Sequence, residues 1–276
     1  MPELPEVETV VRTLEKQLGN VKFKKVTVLW NNIIAYPDVE TFEQALVNQQ
    51  IIKYGRYGKY LIFELSDYHL IVHLRMEGKF YVQDPLDTYD KHVHVIFDLD
   101  NQKQLRYHDT RKFGKMYLYA KQVDFHQYEC FKHIGLDAFD ENLNAEYLMK
   151  IANKRKYCLK QFLLDQANIA GIGNIYADEI AFAMQLHPQT SVNRLTLTDF
   201  DNLILETRRI LGGAIKAGGT TIRSYTSSLG VDGRFQLQLK VHQRAGETCP
   251  RCGGVIKKIK VGGRGTYYCE KCQKLQ

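Results

Sequence analysis

The first twenty residues, MPELPEVETVVRTLEKQLGN, carry apolar side chains at Val7, Val10, Val11, Leu14 and Leu18. That i, i+3, i+4, i+7, i+11 spacing is one face of an amphipathic helix. Pro5 suits a first helical turn and Gly19 an exit, so the helix is predicted to begin almost at the start of the chain. The period then shortens to alternating or β-branched runs over 21–29, 51–54, 59–65, 69–74, 80–82, 92–99, 104–107 and 115–119. Gly55, Gly58, Gly78 and the pair Asp100-Asn101 punctuate them. Strands of this length and spacing predict a β-rich first domain, a sandwich or barrel, carrying one N-terminal helix.

From about residue 142 the period becomes helical, over 143–152, 158–166, 175–184 and 198–217. A last unit over 235–276 reads as β-rich again. The pattern therefore predicts an α+β protein of three parts: a β-domain over 1–130, a helical domain over 131–234 and a small C-terminal unit over 235–276. No internal repeat or low-complexity segment interrupts it.

The chain has 276 residues, 44% hydrophobic and 25% charged. That composition excludes a disordered chain, a collagen or a membrane bundle. No apolar run approaches the roughly 18 residues of a spanning helix. Glu3, Glu6 and Glu8 also fall where a signal peptide needs a basic end and an apolar stretch, so the expected location is the cytoplasm. The net charge is +7, and it is not evenly spread. Residues 236–276 contain nine Lys and Arg against Glu247 and Glu270 alone, while the rest of the chain balances to zero. A basic tail on a neutral body suits a polyanion such as nucleic acid, or a solvated charged surface.

Four of the six cysteines form Cys249-x2-Cys252-x16-Cys269-x2-Cys272. Two close pairs at that spacing supply four thiolates for one tetrahedral zinc ion. Four protein ligands leave no open position, so the expected metal is structural. With the zinc bound, the tail's charge falls to about +5. Cys130 and Cys158 stand alone among apolar neighbours and are expected to pack.

Several residues can carry chemistry. Initiator methionine is ordinarily removed before proline, which would leave Pro2 as a secondary amine at a helix start. Such an amine attacks a carbonyl-like carbon and forms an iminium, an electron sink for elimination. Glu3 beside it can move the protons. Pro and Glu are also ordinary helix starters, and the two residues alone do not separate these readings. Gly171-Ile172-Gly173-Asn174 between two helical segments offers a phosphate clamp at a helix N-terminus, or a plain turn. Met76, Arg111 and Phe113 sit in strand-end turns, where they can wedge into a duplex or pack into a core. Lys59 lies in the glycine turn GRYGKY, ordinarily a solvated place.

MPELPEVET, GRYGKYL, HLRMEGKF, DTRKFG, LLDQANIAGIGNIYADEI and the terminal CxxC…CxxCQ together resemble the formamidopyrimidine-DNA glycosylase family, over the whole chain and in order. The resemblance implies an N-terminal β-sandwich, a helix-two-turns-helix module and a four-cysteine zinc finger, in a monomer that acts on double-stranded DNA. It implies removal of oxidised purines, 8-oxoguanine and formamidopyrimidines, followed by β,δ-elimination of the strand. Pro2 would form the Schiff base and Glu3 serve as acid and base. Lys59 would assist β-elimination and Arg264 δ-elimination, with Glu6 an active-site carboxylate. Met76, Arg111 and Phe113 match the void-filling triad, and His92, Arg111, Arg155 and Asn174 match DNA contacts. Residues 219–225 resemble a loop over the extruded base. One departure is His242-Gln243-Arg244, where the family usually has Tyr-Gly-Arg with a phosphate-binding tyrosine. Two rivals are an endonuclease VIII-like enzyme for oxidised pyrimidines, disfavoured by Leu4 and Arg111-Lys112-Phe113, and a non-catalytic zinc-ribbon DNA-binding protein.

Overall fold

The computed structural model describes residues 1–121, 124–154, 156–220 and 234–275. The chain divides into two compact units, Met1–Lys132 with Gly218–Gly233, and His133–Ala217 with Arg234–Gln276.

In the first unit helix α1 spans Leu4–Leu18, and all five residues of its predicted apolar face are buried. A reciprocal capping box joins Glu3 and Glu6, and Gly19 closes the helix with φ 57°. Nine strands follow among the described residues: β1 (Phe23–Val28), β2 (Ile34–Tyr36), β3 (Ile51–Tyr57), β4 (Tyr60–Leu65), β5 (Tyr68–His73), β6 (Lys79–Gln83), β7 (Val93–Leu99), β8 (Gln104–His108) and β9 (Lys115–Ala120). They form one sheet in the order β1-β7-β8-β6 and a second in the order β2-β9-β5-β4-β3. Period-two burial along β4, with Leu61, Phe63 and Leu65 inside, shows how a half-buried strand feeds the core. Phe23, Phe63, Phe80, Phe97 and Tyr107 join the α1 residues in one hydrophobic cluster, and α1 lies against β3 and β4.

The eight predicted strands are present. Two further elements are β2 and helix α2 (Val39–Leu46), both short. Strand β2 has only three residues and pairs in parallel with β9 at the sheet's edge, too few to show a period. Helix α2 is set by its cap, with the Thr41 N–H donating to Asp38 at 2.9 Å.

The second unit contains α3 (Ala145–Ala152), α4 (Leu159–Leu164), α5 (Asn174–Ala183), α6 (Leu197–Lys216) and the antiparallel hairpin β10 (Ile256–Val261) and β11 (Arg264–Cys269). The C-terminal part has less strand than its pattern suggests: a single tight helical turn over Phe235–Gln238, then one hairpin and tight turns around the cysteines. Helix α5 packs against α4, α6 and β11 and is buried from Ile175 to Phe182.

That burial takes two carboxylates inside. Asp178 binds Lys160 Nζ at 2.6 Å, both side chains fully buried, and His242 Nδ1 at 2.6 Å. Glu179 accepts the backbone N–H groups of Lys240, Val241 and His242 at 2.8, 2.9 and 2.9 Å. Removing one partner strands a charge in a low-dielectric interior, so Lys160→Met is expected to destabilise the protein by about 3–5 kcal/mol. Urea unfolding measures it; a loss below about 1 kcal/mol would mean that the pair is not holding this unit together.

Candidate active site and metal centre

Behind an exposed Met1 the start of the chain is buried. Pro2, Glu3, Glu6 and Lys59 are all withdrawn from solvent, Lys59 to 5% exposure. Glu6 is the hub. One of its carboxylate oxygens accepts the Glu3 N–H at 2.9 Å, and the other accepts the N–H and hydroxyl of Thr220 at 2.8 and 2.9 Å. Gly219 makes that approach possible: its φ is +79°, and a Cβ there would lie 3.1 Å from Glu6 Oε1. Burial pushes the pKa of the Met1 amine, next to Pro2, below its usual 8.0. Glu3, Glu6 and Glu77 pull the other way and Lys59 adds to the lowering, so these four charges act on one amine.

Lys59 occupies the two-residue turn between β3 and β4, where Tyr57 faces Tyr60 and Gly58 takes φ 54°. A left-handed first position is what such a hairpin turn needs. The side chain is buried, not solvated as its turn setting suggests. Beside it in charge reach is His73 at the end of β5. Burial first, then the charges of Arg75 and Lys59, push its pKa down to about 3. Its Nδ1 accepts the Arg75 N–H at 3.0 Å, so the ring is neutral with its proton on Nε2. His73 and Glu77 were not singled out in the sequence, and Thr220 was named there only as part of the loop over 219–225. The available signal was local for His73 alone, the last polar residue of an apolar strand before a turn.

The Asp109 carboxylate, fully buried, shapes the neighbouring loop by accepting the N–H groups of Arg111, Phe113 and Gly114 at 3.0, 3.0 and 2.8 Å. The Thr110 hydroxyl donates to Glu77, which brings the Met76 turn alongside. Both loops close over the Tyr107 hydroxyl, and a Cβ at Gly78 or Gly114 would lie 2.2 or 1.7 Å from that oxygen. The His92 carbonyl accepts the Asp109 N–H at 2.9 Å. Met76, His92, Arg111 and Phe113 are thus gathered at one corner, with Met76 and His92 half-buried, Arg111 exposed and Phe113 50% exposed.

In the second unit Asn174 opens α5. Its Nδ2 donates to the Gly265 carbonyl at 3.1 Å, and its buried Oδ1 has no partner among the described residues. Gln166 stitches the preceding turns, donating to the Leu164 and Ile172 carbonyls and accepting the Gly171 N–H. Arg264 is exposed at the head of β11, after the left-handed pair Gly262-Gly263, and its neighbour Gly265 ties that tip to Asn174. His242 is buried against Asp178 and Tyr267. Arg155 and residues 221–233 lie outside the described residues.

The Sγ atoms of Cys249, Cys252, Cys269 and Cys272 all lie within 4.8 Å of one another. Gly253 turns the first knuckle with φ 72°, and the Gly254 N–H points at Cys252 Sγ, lowering that thiol to about 7. Four soft donors converging in this way fit one structural zinc ion with no open coordination position. Cys130 is separate, and burial holds its thiol up at about 12. No helix among the described residues is long and apolar enough to cross a membrane.

His73 yields a pH test. Its folded pKa lies below the unfolded 6.5, so the unfolded chain binds the extra proton between about pH 3 and 6.5, and stability falls as pH drops through that window. His73→Gln is expected to flatten the stability profile between pH 4 and 6 by up to about 1.4 kcal/mol per pH unit. Denaturant titrations across that range check it; parallel profiles would place His73 in an unburied, titrating setting.

Family models match in three consecutive segments: the formamidopyrimidine-DNA glycosylase N-terminal domain over residues 1–116, the H2TH domain of the same enzyme over 134–226, and a zinc finger found in FPG and IleRS over 246–275. The formamidopyrimidine-DNA glycosylase of Oceanobacillus iheyensis is 43% identical, with 99% of this chain and 98% of the relative covered. That of Shouchella clausii is 44% identical, with 99% of each covered. The Lactococcus lactis Fpg, solved in complex with abasic-site DNA, superposes with a TM-score of 0.91 at 38% identity and 99% coverage of both chains. A structure of MutM with DNA containing carbocyclic 8-oxo-G gives 0.90 at 38% identity, covering 99% of this chain and 100% of that one. With family models spanning most of its length and relatives above 40% identity end to end, the chain belongs to the formamidopyrimidine-DNA glycosylase family.

Proposed function

We propose that this protein excises oxidised purines, 8-oxoguanine and ring-opened formamidopyrimidines, from double-stranded DNA and then cleaves the strand at the resulting abasic site. The observation that carries the reading is the burial of Pro2 together with Glu3, Glu6 and Lys59, whose charges act on the adjoining Met1 amine. A solvated helix start needs neither a buried lysine nor carboxylates tied down by backbone donors.

In this scheme the initiator methionine is removed and Pro2 presents its ring nitrogen. Burial favours the uncharged amine, which holds the lone pair that attacks C1′ of the damaged nucleoside. The C1′–base bond breaks, the base leaves, and opening of the sugar ring gives a protonated imine between Pro2 and C1′. Glu3 supplies and recovers the protons. Loss of a C2′ proton then expels the 3′ phosphate, with Lys59 assisting, and loss of the C4′ proton, with Arg264 assisting, expels the 5′ phosphate. Hydrolysis of the imine frees the enzyme. Glu6 holds the Glu3 backbone in place. Met76, Arg111 and Phe113 fill the space left by the extruded nucleotide, and His92, Arg111, Arg155 and Asn174 contact DNA.

Extrusion costs a few kcal/mol and least for damaged or mispaired bases, so a wedge both sustains the flipped state and favours lesions. Contacts to phosphates carry no sequence preference, which suits a repair enzyme. The zinc ion holds a rigid basic grip and takes no part in the chemistry, the finger's own contribution to the reaction being Arg264, and the setting for this work is the cytoplasm, where the DNA lies.

Borohydride should trap a covalent adduct on duplex DNA containing 8-oxoguanine opposite cytosine. Pro2→Gly should abolish the adduct while leaving the fold intact, and Glu3→Gln should slow base release by about 10²- to 10⁴-fold. Intact DNA binding with no adduct would leave a non-catalytic binder, whereas trapping confined to oxidised pyrimidines would favour the endonuclease VIII-like rival. Once Met1 is gone, the Pro2 amine starts from the buried position beside the Met1 amine, whose pKa burial lowers, so the limb of the rate profile that rises with pH should lie below pH 8. Cys249→Ala should lose bound zinc and duplex affinity together; a zinc-free variant that binds duplex as tightly as the parent would show the finger dispensable.

A further inference from the structure

Arg111 and Phe113 pair with each other, the guanidinium lying 4.9 Å from the ring centroid. The residue between them does something else. Lys112 takes φ 58°, a left-handed conformation that a lysine adopts when something holds it, and its ammonium sits 3.8 Å from the centre of the Trp30 ring. Trp30 is the chain's single tryptophan and is 37% exposed.

Two further links bind the segment around Trp30 to the same loop. Lys115 Nζ donates to the Asn32 carbonyl. The His94 carbonyl accepts the N–H groups of Leu29 and Trp30 at 2.8 and 3.3 Å, while its ring Nε2 lies 2.8 Å from the Asp109 carbonyl. Asp109 in turn holds the N–H groups of Arg111, Phe113 and Gly114. One residue of β7 therefore seats both Trp30 and the turn that carries the exposed pair.

We propose that Trp30 is a positioning residue for the wedge: it clamps Lys112 and so fixes the direction in which Arg111 and Phe113 project. The inference rests on the assignment of Arg111 and Phe113 as void-filling residues. Trp30 itself touches no reacting atom. Its effect is to reduce the number of loop conformations that must be given up when the wedge enters the stack, so it acts on base extrusion rather than on backbone contact.

A double-mutant cycle tests the clamp. Trp30→Leu and Lys112→Met should each lower kcat/KM on a duplex with 8-oxoguanine opposite cytosine by about two- to fivefold, the range of an exposed cation–π contact. The double variant should fall no further, since each single change already breaks the contact. Trp30→Tyr should restore most of the loss, affinity for undamaged duplex should stay level, and the thermal midpoints should match the parent. In the Trp30-containing proteins, Lys112→Met should also shift the tryptophan emission. Additive losses, or a Trp30→Leu variant as active as the parent while Phe113→Ala loses activity, would overturn the clamp. A parent protein that is folded yet inactive on this duplex would instead overturn the functional reading beneath it.

Discussion

A carboxylate can be kept in a protein interior only if donors replace its lost water, and Glu6 is where that constraint organises the first unit. Its two oxygens hold the Glu3 N–H on one side and Thr220 on the other, 214 residues away in the chain. The bond to Glu3 sets where α1 begins and keeps Pro2 withdrawn from solvent. The bonds to Thr220 bring a distant segment, through the glycine at 219, against the same helix start. An alanine at position 6 would leave these donors unpaired and the amine without one of its balancing charges.

The same device recurs at two other places. Asp109 folds the loop of Arg111 and Phe113 by collecting three backbone N–H groups, so an exposed phenylalanine rests on a buried, fully satisfied anion. Asp178 and Glu179 on α5 do this for the second unit, the first through Lys160 and His242 and the second through three consecutive N–H groups. His242 shows how a departure from the family's usual residue is absorbed. Its Nδ1 is taken by Asp178 and its ring lies edge-on to Tyr267, so the imidazole belongs to the buried network that supports the N-terminus of α5.

Elements with a strong period were legible in the chain. The α1 stripe, the eight strand runs and the four helical segments all appear with ends shifted by a few residues, because burial of a continuous face rewards the same spacing in sequence and in space. The cysteine pairs were legible for a different reason: chelation needs a fixed short spacing, so the ligands are written close together. Strand β2 and helix α2 were missed because three and eight residues show too little periodicity. The site was partly legible. Pro2, Glu3, Glu6 and Lys59 came from family motifs, since on their own a proline, two glutamates and a lysine in a glycine turn have ordinary explanations.

The linear chain by itself determined the α+β order, the apolar faces, the four-thiolate metal site and the basic character of the last forty or so residues, all properties of spacing and composition. Only the tertiary structure decided that Lys59 is buried, that His73 is neutral, that Thr220 closes on Glu6 and that Lys112 turns away from its neighbours onto Trp30. Each of these depends on desolvation or on a partner tens of residues distant. Neither quantity has a local signature, because the dielectric around a side chain is set by whatever the rest of the fold brings to it.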